Sequence, residues 1–271
     1  MATGIRIARI FGIDIRVDRS WLVIFALMTW SLGSMFAERH HDWSLALAFG
    51  LGLAGSLLFF ASVVIHELAH SAVATAHGLP VRSVTLFLFG GISNIEREPE
   101  SPRVEFLTAV VGPLVSILLG SALLVGTNLA LTAPPVTSGP EAFFAALSPL
   151  ESLLIWLGTI NVAIGVFNLV PAFPLDGGRL LRSALWSATG SLPSATRTAA
   201  SVSRVFAWLF IVVGLAMSFG ARFPLLGSGL GSGLWLAFVG WFLNGAASSV
   251  RAGAERPSDR PSAVPPRALP H

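Results

Sequence analysis

Residues 62–78, SVVIHELAHSAVATAHG, place three ionisable side chains inside a stretch that otherwise suits lipid. His66, Glu67 and His70 are the only titratable residues of their long apolar run, and such groups in hydrocarbon are usually functional or hidden against a partner. They have the form H-E-x-x-H, in which the two histidines share one helix face about 6 Å apart along the axis. Two imidazoles so placed can bind one Zn²⁺, and the glutamate can take a proton from a metal-bound water.

A third metal ligand is needed, because a catalytic zinc site keeps three protein ligands and one open position. The chain has no cysteine, which leaves histidine, aspartate and glutamate as ligands. Asp176 is the one carboxylate at the exit of the fourth predicted span, in NLVPAFPLDGGR (168–179). Pro171 and Pro174 stop a helix there and would hold the carboxylate on irregular backbone. The alternative role for Asp176 is the N-cap of the helix that follows.

Other roles are open for several of these polar residues. The H-E-x-x-H group could form hydrogen bonds between helices rather than bind a metal. His77 lies two turns past His70 and could be a further ligand, but we favour its simply ending the helix beside a glycine. His40, His41 and His271 lie in segments that we expect to be exposed, and we assign them no role.

The composition indicates an integral membrane protein. Of the 271 residues 54% are hydrophobic and 11% are charged, against about a quarter charged in soluble domains. All 17 basic residues are arginines, and their scattered positions argue against nucleic-acid binding. The N-terminus lacks the apolar core and cleavage site of a signal peptide, so we expect the first apolar run to be retained as a span.

Six apolar stretches approach or exceed the roughly 20 residues that a membrane-spanning helix needs. They are residues 21–36, 45–76, 106–131, 150–170, 205–219 and 225–243. All arginines except Arg39 and Arg222 then fall on one side of the membrane, which predicts cytoplasmic termini. The same topology places the two histidines and Asp176 towards the cytoplasmic end of their spans.

Two further elements are predicted beside the spans. Residues 81–96 read as a β-hairpin around Gly90-Gly91, which could either add a substrate strand to its edge or only cover the site. Residues 177–188 predict a short amphipathic surface helix. The predicted fold is therefore an all-α polytopic membrane protein with six transmembrane helices and a small β-hairpin or sheet after the second. Residues 1–250 form its core, and 251–271 a disordered tail.

The two motifs together resemble the site-2 protease family of intramembrane zinc metalloproteases. H-E-L-A-H in a membrane helix is followed about a hundred residues later by N-x-x-P-x-x-P-L-D-G-G. The resemblance extends to the start GIDIRVDRSW, the hairpin FGGISNI and the pair Gly112-Pro113. It implies one zinc ion held by His66, His70 and Asp176, with Glu67 as general base. It also implies that Asn168 helps to hold substrate or an oxyanion.

The resemblance further implies regulated intramembrane proteolysis, in which a peptide bond in or near a transmembrane segment of a membrane-protein substrate is hydrolysed. It implies a prokaryotic inner membrane as the location. The chain matches a form without nucleotide-binding CBS domains or PDZ domains. Two rival functions use the same residues: a membrane metal-ion transporter, and a catalytically inactive relative that binds membrane partners.

Overall fold

The computed structural model describes residues 4–88, 90–95, 97–131, 139–223 and 228–255. These residues form four strands and eight helices in one chain order. They are β1 (Ile5–Ile10), β2 (Ile13–Val17), α1 (Trp21–Arg39), α2 (Leu45–Ala76), β3 (Val81–Phe87), β4 (Gly90–Ile95), α3 (Pro102–Ala130), α4 (Pro140–Ala145), α5 (Pro149–Asn168), α6 (Asp176–Thr189), α7 (Leu192–Ser218) and α8 (Leu230–Glu255).

Six helices, α1, α2, α3, α5, α7 and α8, are long and apolar enough to cross a membrane. The predicted six-span architecture is thereby confirmed. α7 begins at Leu192, well before the predicted start at 205, because its first turns are polar yet helical and begin with a serine cap. α8 continues to Glu255, beyond the predicted boundary at 250, and residues 256–271 lie outside the described residues.

Small residues let the helices that carry the site approach each other closely. A Cβ on Gly120 of α3 would lie 2.5 Å from the carbonyl oxygen of Gly158 on α5. Such close backbone approach is the usual way in which membrane helices associate, since apolar side chains gain little by leaving lipid. α3 and α5 are therefore held in a fixed relation on either side of the polar residues described below.

The four strands form one sheet in the order β1-β2-β3-β4. β2 and β3 pair in parallel, while the two outer pairs are antiparallel. Ile13, Ile15 and Val84 form its buried core and pack against Val64 and Leu68 of α2. The hairpin β3–β4 agrees with the predicted one, whereas β1 and β2 were not predicted. Parallel pairing of strands separated by two spans places both strands at the same end of the helix bundle.

The edge of the hairpin differs from the simplest expectation. β3 is an interior strand, because it pairs with β2 on one side and with β4 on the other. The backbone of β4 (Gly90–Ile95) is therefore the only part of the hairpin with an open edge. Strand addition by a substrate remains a prediction, and it concerns β4.

The expectation that His40 is exposed is wrong. Its side chain is buried, its ring stacks on Trp43 at 3.6 Å between centroids, and its Nε2 lies 3.2 Å from Ser152 Oγ. This burial lowers the pKa of His40. The residue that buries it lies 112 positions away on α5, so local sequence carries no sign of the contact. His41 is exposed as expected, and His271 lies outside the described residues.

Candidate active site

His66, His70 and Asp176 converge at one buried point. The histidines lie one turn apart on α2, and Asp176 is the first residue of α6. The two Nε2 atoms are 3.1 Å apart, and Asp176 Oδ2 lies 3.2 Å from Nε2 of His66 and 3.1 Å from that of His70. Within the described residues these three form the one group of histidine and acidic side chains suited to hold a metal ion.

The connection between α5 and α6 places the carboxylate. Residues 169–175 are not helical, and the N–H of Phe173 donates to Ser203 Oγ at 2.9 Å, which ties this connection to α7. Gly178 packs on the same connection, where a Cβ would lie 2.7 Å from the nitrogen of Phe173. Asp176 opens α6, but Leu175 is the N-cap and no side chain caps the helix. The carboxylate instead faces the two histidines, so the N-cap alternative does not describe its contacts.

Helix α3 holds both imidazoles from behind. His70 Nδ1 lies 2.6 Å from the carbonyl oxygen of Thr108, and His66 Nδ1 lies 2.9 Å from Ser116 Oγ. Gly112 sits between these contacts, and a Cβ there would lie 2.7 Å from His66 Nε2. Partners of this kind fix the tautomer and orientation of metal-ligating histidines. Sequence reasoning singled out neither Thr108 nor Ser116.

The donor set fits a zinc ion. The Thr108 carbonyl can only accept, so His70 Nδ1 carries a proton and a neutral ring presents the lone pair of Nε2 to Asp176. Two acceptors facing each other at 3.1 Å require a cation or an extra proton between them. Zinc bound tetrahedrally at about 2.0–2.1 Å would separate its ligands by about 3.3 Å. The observed 3.1–3.2 Å is close to that spacing.

Glu67 lies between the histidine pair and the hairpin. Its Oε2 accepts a hydrogen bond from Ser93 Oγ of β4 at 2.6 Å. Gly91 presses on the same side chain, because a Cβ there would lie 2.7 Å from Glu67 Cγ. Ser71 Oγ donates to the Glu67 carbonyl at 2.8 Å. Ser93 stands in the quoted FGGISNI stretch, yet only the fold shows that it reaches the carboxylate.

A cavity of about 590 Å³ opens onto the site. His66, Glu67 and Asp176 line it, as do the amides of Asn161 and Asn168 on α5. Asn168 is thus brought to the cavity, and its Nδ2 donates to the Ile164 carbonyl at 3.1 Å. Asn161 is buried seven residues earlier on the same helix, and it was not predicted as a site residue.

His77 does not join the cluster. Its Nδ1 lies 2.8 Å from the carbonyl oxygen of Val73, and the residue is the C-cap of α2. The favoured reading, in which His77 ends the helix, agrees with these contacts.

Comparisons with known proteins place these residues in a family. A model of peptidase family M50 matches residues 54–212, which contain the three candidate ligands and Glu67. A putative zinc metalloprotease of Synechocystis is 40% identical over 254 residues, covering 93% of this chain and 61% of that protein. The putative zinc metalloprotease Rip3 of Mycobacterium tuberculosis is 38% identical over 247 residues, covering 91% of this chain and 58% of that protein.

A solved structure agrees with this assignment. The site-2 protease from Methanocaldococcus jannaschii matches with a TM-score of 0.56 and 27% sequence identity, covering 92% of this chain and 95% of that chain. The present chain spans about three fifths of the length of the two curated relatives above. Since the family model covers more than half of the chain, the chain belongs to peptidase family M50.

Proposed function

We propose that the chain is an intramembrane zinc metalloprotease that hydrolyses a peptide bond in or near a transmembrane segment of membrane-protein substrates. The observation that carries this proposal is the buried triangle of His66, His70 and Asp176, with Glu67 next to it in a cavity among spanning helices. The zinc metalloprotease names of the relatives point in the same direction.

Each residue has a distinct role in the proposed reaction. His66, His70 and Asp176 would hold one zinc ion, which supplies Lewis-acid polarisation of a peptide carbonyl and activation of water. Glu67 accepts a proton from the attacking water and delivers it to the leaving amine. Ser93 holds the Glu67 carboxylate on the cavity side of α2. The amide of Asn168 is placed to bind the substrate backbone or a developing oxyanion.

The cavity suits an unwound, apolar peptide. Its walls carry Phe59, Phe87 and Phe167, while its polar groups gather near the triangle. A helical substrate hides its carbonyls in backbone hydrogen bonds, so its peptide bond must leave the helix before attack. Apolar walls would stabilise the side chains of such a segment, and the asparagine amides would replace its lost hydrogen bonds.

We further propose that both termini and the active site face the cytoplasm. The arginine distribution supports this orientation, since all but Arg39 and Arg222 lie at one end of the spans. The parallel pairing of β2 with β3 agrees with two membrane crossings between them.

The decisive experiment separates metal binding from catalysis. Glu67→Gln should keep one zinc per chain and lose cleavage of a tagged single-span test protein in the same bilayer, with kcat falling at least about a hundredfold. His66→Ala should lose both zinc and cleavage, because two ligands remain. His77→Ala is the matched control, and it should keep both. Metal content is measured by mass spectrometry and cleavage by gel.

Two results would contradict the proposal. Full cleavage by Glu67→Gln would remove the glutamate from the mechanism. Zinc movement across vesicles by a protein that cleaves no test substrate would favour the transporter.

A further inference from the structure

The turn between β1 and β2 presents an aromatic side chain to its surroundings. Phe11 and Gly12 form a two-residue turn with φ of 51° and 82°. Positive φ at both positions is the pattern of a type I′ turn, which asparagine and glycine usually fill. Phe11 occupies the first position with 94% of its side chain exposed. A large aromatic residue there has neither a conformational reason nor a packing partner within the described residues.

The apolar face of this hairpin extends beyond the helix that covers it. Ile10 pairs with Ile13 and packs on the core against α2. Ile5 pairs with Val17 on that same face, yet it is 72% exposed. Ile7 lies where the register shifts between Arg6 and Ala8, and it is 62% exposed. The overhanging part of β1 therefore offers an uncovered apolar surface that is continuous with the buried one.

The opposite face of the hairpin is basic. Arg6, Arg9 and Arg16 surround the single carboxylate of Asp14 at 3.6, 3.8 and 3.6 Å. Arg9 pairs with Asp14 across the strands, which sets this face opposite to Ile10 and Ile13. Three guanidinium groups around one carboxylate leave an excess of positive charge beside the apolar overhang.

The hairpin lies at the level of the bilayer surface. Three residues separate the end of β2 at Val17 from the start of α1 at Trp21. α1 has 19 residues and is about 28 Å long, which is close to the thickness of the hydrocarbon core. Trp21 therefore stands at the interface, and the hairpin immediately before it must lie at that surface.

We propose that the β1–β2 hairpin rests on the membrane and binds anionic phospholipid. Phe11, Ile5 and Ile7 insert at the boundary between headgroups and acyl chains, while the arginines contact lipid phosphates. An apolar face beside a basic face is the pattern of elements that lie in the plane of an anionic membrane surface. This contact is independent of the proposed proteolysis, and it seats the edge of the sheet opposite to β4.

The absence of cysteine makes a direct test possible. Phe11→Cys and Ile7→Cys each introduce a single site for a nitroxide label, and Arg9→Cys on the opposite face is the matched control. The labelled full chain is reconstituted into phosphatidylcholine vesicles with and without phosphatidylglycerol. Collision with oxygen and with an aqueous nickel reagent then reports depth. Zinc content confirms that each variant is folded.

We expect labels at 7 and 11 to collide with nickel several-fold less than the label at 9, and to favour oxygen. Phosphatidylglycerol should increase this difference, and added salt should reduce it. Equal nickel access at 9 and 11 would overturn the proposal. Exclusion of both reagents at 11 would also overturn it, since another protein surface would then cover the residue. A depth that does not respond to phosphatidylglycerol would refute the anionic specificity.

Discussion

At the scale of single residues, the hydroxyl of Ser93 joins the sheet to the chemistry on α2. The distance from Ser93 Oγ to Glu67 Oε2 is 2.6 Å, which is typical of a hydroxyl bound to a charged carboxylate. Glu67 is only half-buried, so without this bond its carboxylate could turn among several rotamers. Ser93 is therefore a positioning residue for the general base.

Ser93→Ala should lower kcat by about tenfold, because a hydrogen bond to a charged group contributes about 1.5 kcal/mol or more. Zinc content and KM should not change, since no ligand and no cavity wall is removed. Ser93→Thr keeps the hydroxyl and should restore most of the rate. Steady-state kinetics with the reconstituted test substrate measure the effect, and an unaltered kcat in Ser93→Ala would exclude the positioning role.

Gly112→Ala should reduce zinc affinity strongly, since its methyl group would collide with both imidazoles. The displaced rings could no longer meet Asp176 at ligand distance. Gly126→Ala on the same helix is the control, because nothing lies within 4 Å of its added methyl group. That change should leave zinc binding intact and the stability equal or slightly higher. Competition with a chelator gives both affinities, and equal values would contradict the close packing of α3 on the site.

At the scale of elements, one ion pair fixes α6 against α3. Glu105 is fully buried, and its Oε1 accepts from Arg182 Nε at 2.7 Å. The guanidinium also lies over the ring of Phe173, 5.8 Å from its centroid. α6 carries Asp176, and α3 carries the carbonyl that orients His70. The pair therefore sets the distance between two sides of the metal site.

Arg182→Met should destabilise the protein by about 3–5 kcal/mol, because it leaves the buried carboxylate of Glu105 without a counter-ion. Zinc affinity should fall with it, since α6 is then free to shift. Combining it with Glu105→Gln should recover part of the loss. Arg179→Met on the same helix is the control. Thermal unfolding in detergent and zinc content are the measurements, and an Arg182→Met protein as stable as this control would refute the role of the pair.

Sequence reasoning succeeded where the signal was local. The six spans follow from apolar runs, and the spacing of His66, Glu67 and His70 follows from the helix period. Contacts between distant segments were out of reach, because no pattern near Ser93 shows that it lies beside residue 67. β1 and β2 were missed for the same reason, since their partner β3 follows two intervening spans. Hydropathy also detects lipid rather than helix, which is why the polar start of α7 was lost.

At the scale of the whole molecule, the orientation can be tested with single cysteines. His41 follows α1 and is exposed, whereas His77 ends α2 and is also exposed. A membrane-impermeant maleimide on intact cells should label His41→Cys and should reach His77→Cys only after permeabilisation. The cysteine-free parent chain supplies the blank. The reverse pattern of labelling would refute cytoplasmic termini.

The parallel pairing of β2 with β3 also governs when the enzyme can become active during its synthesis. A ribosome that has made only α1 leaves the first hairpin without its partner, so the sheet cannot close before the second span is inserted. Glu67 gains Ser93 later still, and the two histidines wait for Asp176 until α5 has been made. Nascent chains therefore carry an open and incomplete centre, and newly inserted membrane proteins nearby are safe from it until more than half of the chain is in place.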